Sequence, residues 1–469
     1  MSLRKIGKIL LFGIAGMMMG VLLLTLGVKL ILDRAPQYQA EIKDWVHNRI
    51  GYRIAFSDVS PAFRWYGPEL YFAELELRSK DGQRVLARTA GGRVGIDFWQ
   101  LFHSGKLFAV RVELDAPDIT VERMGPDQFA LASEIVLGGG QSSMATLALN
   151  DLPAGTLAIR RGLVTVQKWN SDLPELKLRD VNLDLRRAAD LAVLSLNARL
   201  PAVLGGSLRF NGMARGVGPL TGVSWDALAS ARDMSFPGWR QLLPEYLTRL
   251  DAGTGGFDLL ASGRGPRLAR ATLDFSARGV VARLSEGLSD KFEQISGALA
   301  VTHAGDRWTL LGRRMRALTA GRSDPDSEFD VSWRGSDEGV LELRAQASYL
   351  RAEALLPLAG LMPQKELRDR LRDIAPTGEW RDMRAQLERT TVNDPWQLAV
   401  YARFHGVGFA PVGRAPGLRG LSGMLAGNES GGRVVIDTPA AVFNWPGQFP
   451  QPINLSALKT TLYWKRSAE

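Results

Sequence analysis

Along "FAVRVELDAPDITVER", residues 108–123, apolar and polar side chains alternate with a period of two. Phe108, Val110, Val112 and Leu114 fall on one side, and Ala109, Arg111, Glu113 and Asp115 on the other. The pattern predicts a turn at Ala116-Pro117-Asp118 and a resumed strand carrying Ile119 and Val121. Similar alternation runs through "RVGIDFW", "LKLRDVNLDLR", "VLSLNARL", "ATLDFSAR", "EFDVSW" and "WQLAVYARF". Strands of this kind have one apolar and one wet face, which favours an antiparallel sheet over βαβ units.

Helical patterns are few. Tyr38, Ile42, Trp45, Val46 and Arg49 recur at helical spacing between Pro36 and Gly51, predicting a short amphipathic helix whose stripe packs against the first strands. "DFWQLFHSG" reads as one or two turns, and "FPGWRQLLPEYLTRL" and "YLRAEALLPLAGLMPQKELRDRLRDIAP" as longer helices. The mixed charges of residues 365–373 read as a solvated helix face. "GGGQSSMA" at 138–145 is the candidate linker.

The chain repeats itself. Ser296-Gly297-x-Leu299-Ala300 matches Ser422-Gly423-x-Leu425-Ala426, Gly279-Val280 matches Gly406-Val407, and the Ala252–Phe257 stretch matches Ala375–Trp380 at Thr254-Gly255 and Thr377-Gly378. The offsets, 123 to 127, keep one order and read as a diverged internal repeat. The two Ser-Gly motifs are expected at equivalent bends, with Leu299 and Leu425 on the apolar side.

One segment obeys neither period. Residues 9–28, "ILLFGIAGMMMGVLLLTLGV", contain no charge, and as a helix would be about 30 Å long, the thickness of a bilayer core. Its length, and the absence of a small-x-small site after it, favour an uncleaved anchor over a signal peptide. Ile9, Leu10, Leu11, Phe12, Val21, Leu22, Leu23, Leu24 and Val28 would face lipid. Arg4, Lys5 and Lys8 place the N-terminus on the cytoplasmic side and the body outside.

The composition, 45% hydrophobic and 23% charged over 469 residues, is that of a folded protein. The net charge of +9 does not point to nucleic acid, because much of it flanks the anchor and the body has no basic run. There is no cysteine, so the fold uses no disulfide. His47, His103, His303 and His405 are isolated, and neither a nucleophile elbow nor a phosphate loop occurs. Gly216-x-Gly218-x-x-x-Gly222 misses the dinucleotide spacing and reads as a turn. No catalytic residue, metal or cofactor is expected.

A long apolar sheet face with few helices to cover it either curls around a side-chain core or forms a gutter for an apolar ligand. A gutter that starts at a membrane has lipid as its natural ligand. Val110, Val112, Leu114, Ile119, Val121, Leu299 and Leu425 are the expected lining residues.

The order of the anchor, "APQYQAEIKDWVHNRIGYRIAFSDV", "GPELYFAELEL", "VGIDFWQLF" and "VRVELDAPDITVER" resembles the start of AsmA-like proteins, most closely the YhdP group. "LSGMLAG" and "LKTTLYWKR" resemble that group's central region. The resemblance implies a mainly β fold: an elongated, curved antiparallel groove of repeated modules with a few short helices, plus one N-terminal transmembrane helix. It implies residues 1–34 as cytoplasmic N-terminus and anchor, 35–137 as an AsmA-like, chorein-like β module, 138–145 as linker, and 146–469 as repeated groove modules. It also implies a single-pass protein of the bacterial inner membrane that carries phospholipid through the periplasm toward the outer membrane. Outer-membrane or periplasmic proteins are the expected partners at the far end. The group's members are usually longer, so the chain reads as an N-terminal portion or a truncated member. An envelope scaffold that carries nothing is the main rival, and a lipid-modifying enzyme the third.

Overall fold

The computed structural model describes residues 52–64, 67–96, 109–125, 128–131, 135–137, 154–168, 175–242, 250–285, 288–319, 321–336, 339–354, 373–392, 394–413 and 415–466, with isolated positions between 39 and 47. The described part is mainly β and falls into two units. The anchor residues Ile9 to Val28 and the linker at 138–145 lie outside the described residues. Among the described residues no helix is long and apolar enough to cross a membrane. Positions 39, 40, 43, 44 and 47 are helical, within the expected amphipathic helix.

The first unit, Met1–Ala202 with Gly206–Trp225, holds twelve strands among its described residues. These are β1 (Arg53–Ala55), β2 (Asp58–Arg64), β3 (Gly67–Arg78), β4 (Val85–Ile96), β5 (Ala109–Asp115), β6 (Asp118–Gly125), β7 (Gln128–Leu131), β8 (Ile135–Leu137), β9 (Gly155–Gln167), β10 (Glu175–Ala188), β11 (Leu191–Arg199) and β12 (Ser207–Arg215). Hairpin pairing carries the sheet from β3 to β4 and β5, and from β9 to β10, β11 and β12. β5 and β6 both run parallel to β9, so the sheet is mixed where the alternation predicts it to be antiparallel. A parallel pair needs a crossover, and the chain between Gly125 and Gly155 supplies it.

The expected turn at Ala116-Pro117-Asp118 is therefore no reversal. β5 and β6 are collinear halves of one strand, interrupted by Ala116 at φ 48°. Glu74 (φ 51°) in β3, Arg161 (φ 54°) in β9 and Asp180 (φ 49°) in β10 interrupt their strands alongside. The row is tied together across strands: Ala116 donates its N–H to the Arg160 carbonyl and Leu163 to that of Pro117. Each interruption inserts one residue, a bulge that returns the apolar positions to their original face. The apolar sets switch number parity there, from Leu70 and Phe72 to Leu75 and Leu77, and from Val112 and Leu114 to Ile119 and Val121. A Cβ on Gly92 would touch both Leu75 and Leu114, which confirms the shared face.

The second unit, Val203–Gly205 with Asp226–Glu469, contains most of β13 (Ser224–Ser235) and helix α1 (Phe236–Leu242). It continues with β14 (Leu250–Arg264), β15 (Arg267–Ser285), β16 (Leu288–Ala304), β17 (Arg307–Thr319), β18 (Arg322–Ser323), β19 (Ser327–Ser336), β20 (Gly339–Arg351), β21 (Thr377–Glu388), β22 (Gln397–Phe409), β23 (Gly417–Asn428), β24 (Gly431–Thr438), β25 (Ala441–Asn444), β26 (Ile453–Leu455) and β27 (Leu458–Lys465). From β14 the strands meander antiparallel through β17, β19, β20, β21, β22, β23 and β24 to β27, with β18, β25 and β26 attached at the side. α1 occupies the start of one expected helix, with Trp239 Nε1 donating to the Leu204 carbonyl at 2.9 Å. Most of the longest expected helix lies outside the described residues; its first residues, Tyr349 to Arg351, end β20.

Closed packing is local. Phe56, Val59, Leu70 and Phe72 form one buried cluster, with Phe56 and Phe72 edge to face at 5.0 Å. Phe404, Val407, Leu421, Ile436 and Ala441 form another in the second unit.

Candidate functional site: the apolar sheet faces

In the second unit one line of directly opposed residues crosses eleven strands. It runs Ala261, Ala271, Val301, Leu310, Val331, Ala345, Ala385, Val400, Gly427, Gly432, Trp464. It contains no polar side chain, and ten inter-strand steps at ~4.8 Å make it about 48 Å long. The next line on the opposite face reads Leu260, Thr272, Ala300, Leu311, Asp330, Gln346, Arg384, Tyr401, Ala426, Arg433, Tyr463. The period-two code therefore separates a wholly apolar face from a mixed one, which is polar from Asp330 to Tyr401. None of the eleven apolar residues is buried; all are half-buried or exposed. A closed core would bury them, so among the described residues this face is open.

Leu299 lies on this face between Leu273 and Gly312, and Leu425 between Ala402 and Val434. The Ser-Gly motifs beside them are not bends. Gly297 and Gly423 lie within β16 and β23, directly opposite Phe275 and Phe404. Glycine is needed there for room: a Cβ on Gly297 would run into Met315 Sδ, and one on Gly423 into the Val435 carbonyl. The ring of Phe329 likewise fills the space above Gly312, and that of Trp464 the space above Gly427 and Gly432. Aromatic rings laid over glycines keep the apolar surface continuous without stacking two large side chains.

The first unit has a comparable apolar line, which begins in its closed cluster at Leu70. Leu70, Val94, Val112, Leu157, Leu185, Leu194 and Gly212 oppose one another across seven strands. Leu114 belongs to the next line, between Gly92 and Ile159. Beyond the bulge row Ile119 faces Ala87 and Val164, and Val121 faces Leu131 and Val166. Val110 is the second residue of β5 and is 41% exposed. Five of the residues singled out from the sequence thus lie along one collinear strand pair.

The reverse face of the first unit is laced with ion pairs. Glu113 accepts from Arg93 at 2.9 Å and Arg111 at 2.8 Å, and Arg160 makes a two-pronged bond to Asp184 at 2.7 and 2.8 Å. Burial alone would push the Glu113 carboxyl up, but the Arg111 bond and the charges of Arg111, Arg93 and Arg160 hold it below the usual range. The Arg160 hydrogen bond keeps Asp184 low against a weaker effect of burial. In the second unit Glu342 is nearly buried beneath Arg307, Arg334 and Arg344, at 3.1, 3.2 and 2.6 Å. Its burial is outweighed by the Arg334 bond and those three charges, so it too stays ionised.

The sequence patterns do not single out one pairing that the fold creates. Ser422 Oγ lies 3.1 Å from His405 Nδ1, and Glu379 is directly opposite His405 on β21. Serine, histidine and carboxylate in adjacent strands suggest a nucleophilic triad. The bonding does not fit one: Ser422 Oγ accepts from the Gly406 N–H, and Glu379 is engaged by Arg322 at 2.6 Å and Arg381 at 2.8 Å. Among the described residues no group of three acidic or histidine side chains could hold a metal ion.

The apolar face presents leucine, valine, alanine, glycine and indole surface, the kind of surface that packs against hydrocarbon. No curated protein and no solved structure matches the chain at a significant level. The family model described as YhdP protein matches residues 1–469. The chain therefore belongs to the YhdP family, a family of envelope proteins, as the resemblance in its anchor and strand motifs implies.

Proposed function

We propose that this protein conducts phospholipid along the apolar faces of its sheets, from the bacterial inner membrane toward the outer membrane. Residues 9–28 anchor it, with the N-terminus cytoplasmic and the body periplasmic. The observation that carries the reading is the eleven-strand apolar line from Ala261 to Trp464, free of polar side chains and unburied among the described residues. Lifting a sixteen-carbon acyl chain into water costs about 12 kcal/mol at ~0.8 kcal/mol per CH₂. A continuous apolar face offsets that cost at every position, so a lipid on it meets no high barrier between steps. No reaction is needed for this task, and the proteins at the far end would be envelope proteins that receive or position the lipid.

The test is mass spectrometry of the full chain purified in mild detergent. Phospholipid retained in stoichiometric amount, and lost when Val331→Asp charges the middle of the apolar line, is the expected result. A chain that folds and carries no lipid supports the scaffold reading, and lipid recovered with an altered head group or a missing acyl chain supports the enzyme.

A further inference from the structure

The apolar face of the second unit differs at its two margins. Toward the ends of β15 and β22 it closes: Val280, Val407 and Leu421 are 4%, 8% and 8% exposed. Toward the opposite strand ends it stays open, and Leu398 and Trp396 are 39% and 38% exposed. The open margin carries aromatic rings: His303 stacks on Trp308 at 4.2 Å, and Trp308 lies parallel to Trp333 at 6.0 Å. Arg389 lies 4.4 Å above the Trp396 ring, its Nε–H donating to the Val340 carbonyl at 2.8 Å and its Nη1–H to that of Val392. These partners are neutral. Other arginines at both margins are held by carboxylates, Arg307 and Arg334 by Glu342 at the open one and Arg322, Arg351 and Arg316 by Glu379, Asp324 and Asp326 at the closed one.

The distance between the margins is informative. From Phe292, opposite Val280, to His303 on β16 is eleven residues, about 36 Å at ~3.3 Å each. One leaflet of a bilayer core is about 15 Å thick, half of ~30 Å. The band is thus wider than one acyl chain is long, so a chain whose head sits at the open margin ends on the apolar face near Phe275 and Phe404, before the closed side. Indole and imidazole rings with one apolar and one polar edge settle where hydrocarbon meets water.

We infer that a phospholipid lies with its acyl chains along the strands, their ends near Phe275 and Phe404 and the phosphate-bearing head group at the open margin of Trp308, Trp333, Trp396 and Arg389. This rests on the lipid-carrying reading and adds an orientation to it: the lipid moves sideways, across the strands, with its head tracking the tryptophan margin. Arg389 offers the head-group phosphate a cation held in place by the indole and by two carbonyls.

The experiment uses the full chain in detergent and two forms of phosphatidylethanolamine, one with an aryl azide on the head-group amine and one with a diazirine at the acyl end. After illumination, peptide mapping should place the head probe on residues 303–308, Trp333 and 389–396, and the tail probe on residues 273–277 and 402–405. Arg389→Gln with Trp396→Ala should cut head-probe attachment near 389–396 several-fold, while an unchanged tail map shows that the sheet is intact. Head-probe attachment at the closed margin, or evenly over both, overturns the orientation and leaves lipid binding standing. Attachment of neither probe overturns lipid binding itself.

Discussion

Gly378 rests against Val407: a Cβ on the glycine would come 2.5 Å from the valine Cα. In the earlier copy of the repeat Gly253 stands in the same relation to Val280, at 2.9 Å. Both glycines have positive φ, 102° and 118°, and both valines follow a glycine bulge, Gly406 at 62° and Gly279 at 59°. Gly253→Ala and Gly378→Ala should therefore each destabilise by roughly 2 kcal/mol or more, from strain and close backbone contact together. Chemical denaturation of the two variants checks this; one neutral and one severe variant would break the structural equivalence.

The Ser-Gly glycines should behave differently from each other. The obstacle to a side chain at Gly297 is the thioether of Met315, a flexible end that can swing aside. At Gly423 it is the Val435 carbonyl of β24, which is fixed in the ladder with β23. Gly297→Ala is expected to cost about 1 kcal/mol or less, and Gly423→Ala about 3 kcal/mol. Equal thermal shifts in the two variants would refute this assignment.

These pairs show what period and spacing can reveal. Alternation put Val112, Leu114, Leu299 and Leu425 on apolar faces because in a strand the face is a local property, set by parity. It could not show that β5 and β6 are collinear and parallel to β9, since strand direction depends on partners far away in the chain. Ala116-Pro117-Asp118 has the composition of a turn and serves as a bulge. The repeat was legible, but at one position its alignment was two residues off: Thr254-Gly255 matches Thr377-Gly378 in letters, whereas Gly253 matches Gly378 in position. The Trp308–Trp333 pair needed the register of β17 and β19 before it could be seen as a margin.

The Arg160–Asp184 bond predicts a pH dependence with a definite sign. A carboxyl whose folded value is depressed adds stability above its unfolded value and loses it as pH falls through the folded one. Asp184→Asn should lower stability at neutral pH by on the order of 1 kcal/mol, because the pair is only partly buried. Urea unfolding at neutral pH and at about pH 3 should show the two proteins converging in acid. A gap that persists in acid assigns the loss to packing rather than charge.

The topology can be tested with one thiol, because the chain has no cysteine. A cysteine at Ser142 should react with a membrane-impermeant reagent once the outer membrane is permeabilised. Labelling that requires rupture of the inner membrane would place the body on the cytoplasmic side.

The last prediction concerns transport in series. If lipid crosses strand after strand, one charge anywhere on the apolar line stops it, however distant the other positions. Val112 lies between Val94 and Leu157 in the first unit, and Val331 between Leu310 and Ala345 in the second. Aspartate at either should cost passing hydrocarbon several kcal/mol while it remains ionised. The matched polar-face control for Val331 is Ser332→Asp, on the next residue and the opposite side. Arg111→Asp is a poor control for Val112, because it would set a second carboxylate beside Glu113; Arg111→Gln avoids that. Both valines are half-buried and not fully enclosed, so the variants should fold, and unchanged protease resistance would establish it. Each apolar-face variant alone should then abolish envelope function, and lipid crosslinking should be lost only on the far side of the substituted strand. If both folded variants sustain growth under envelope stress as the parent chain does, lipid does not travel along these two faces, whatever else binds there.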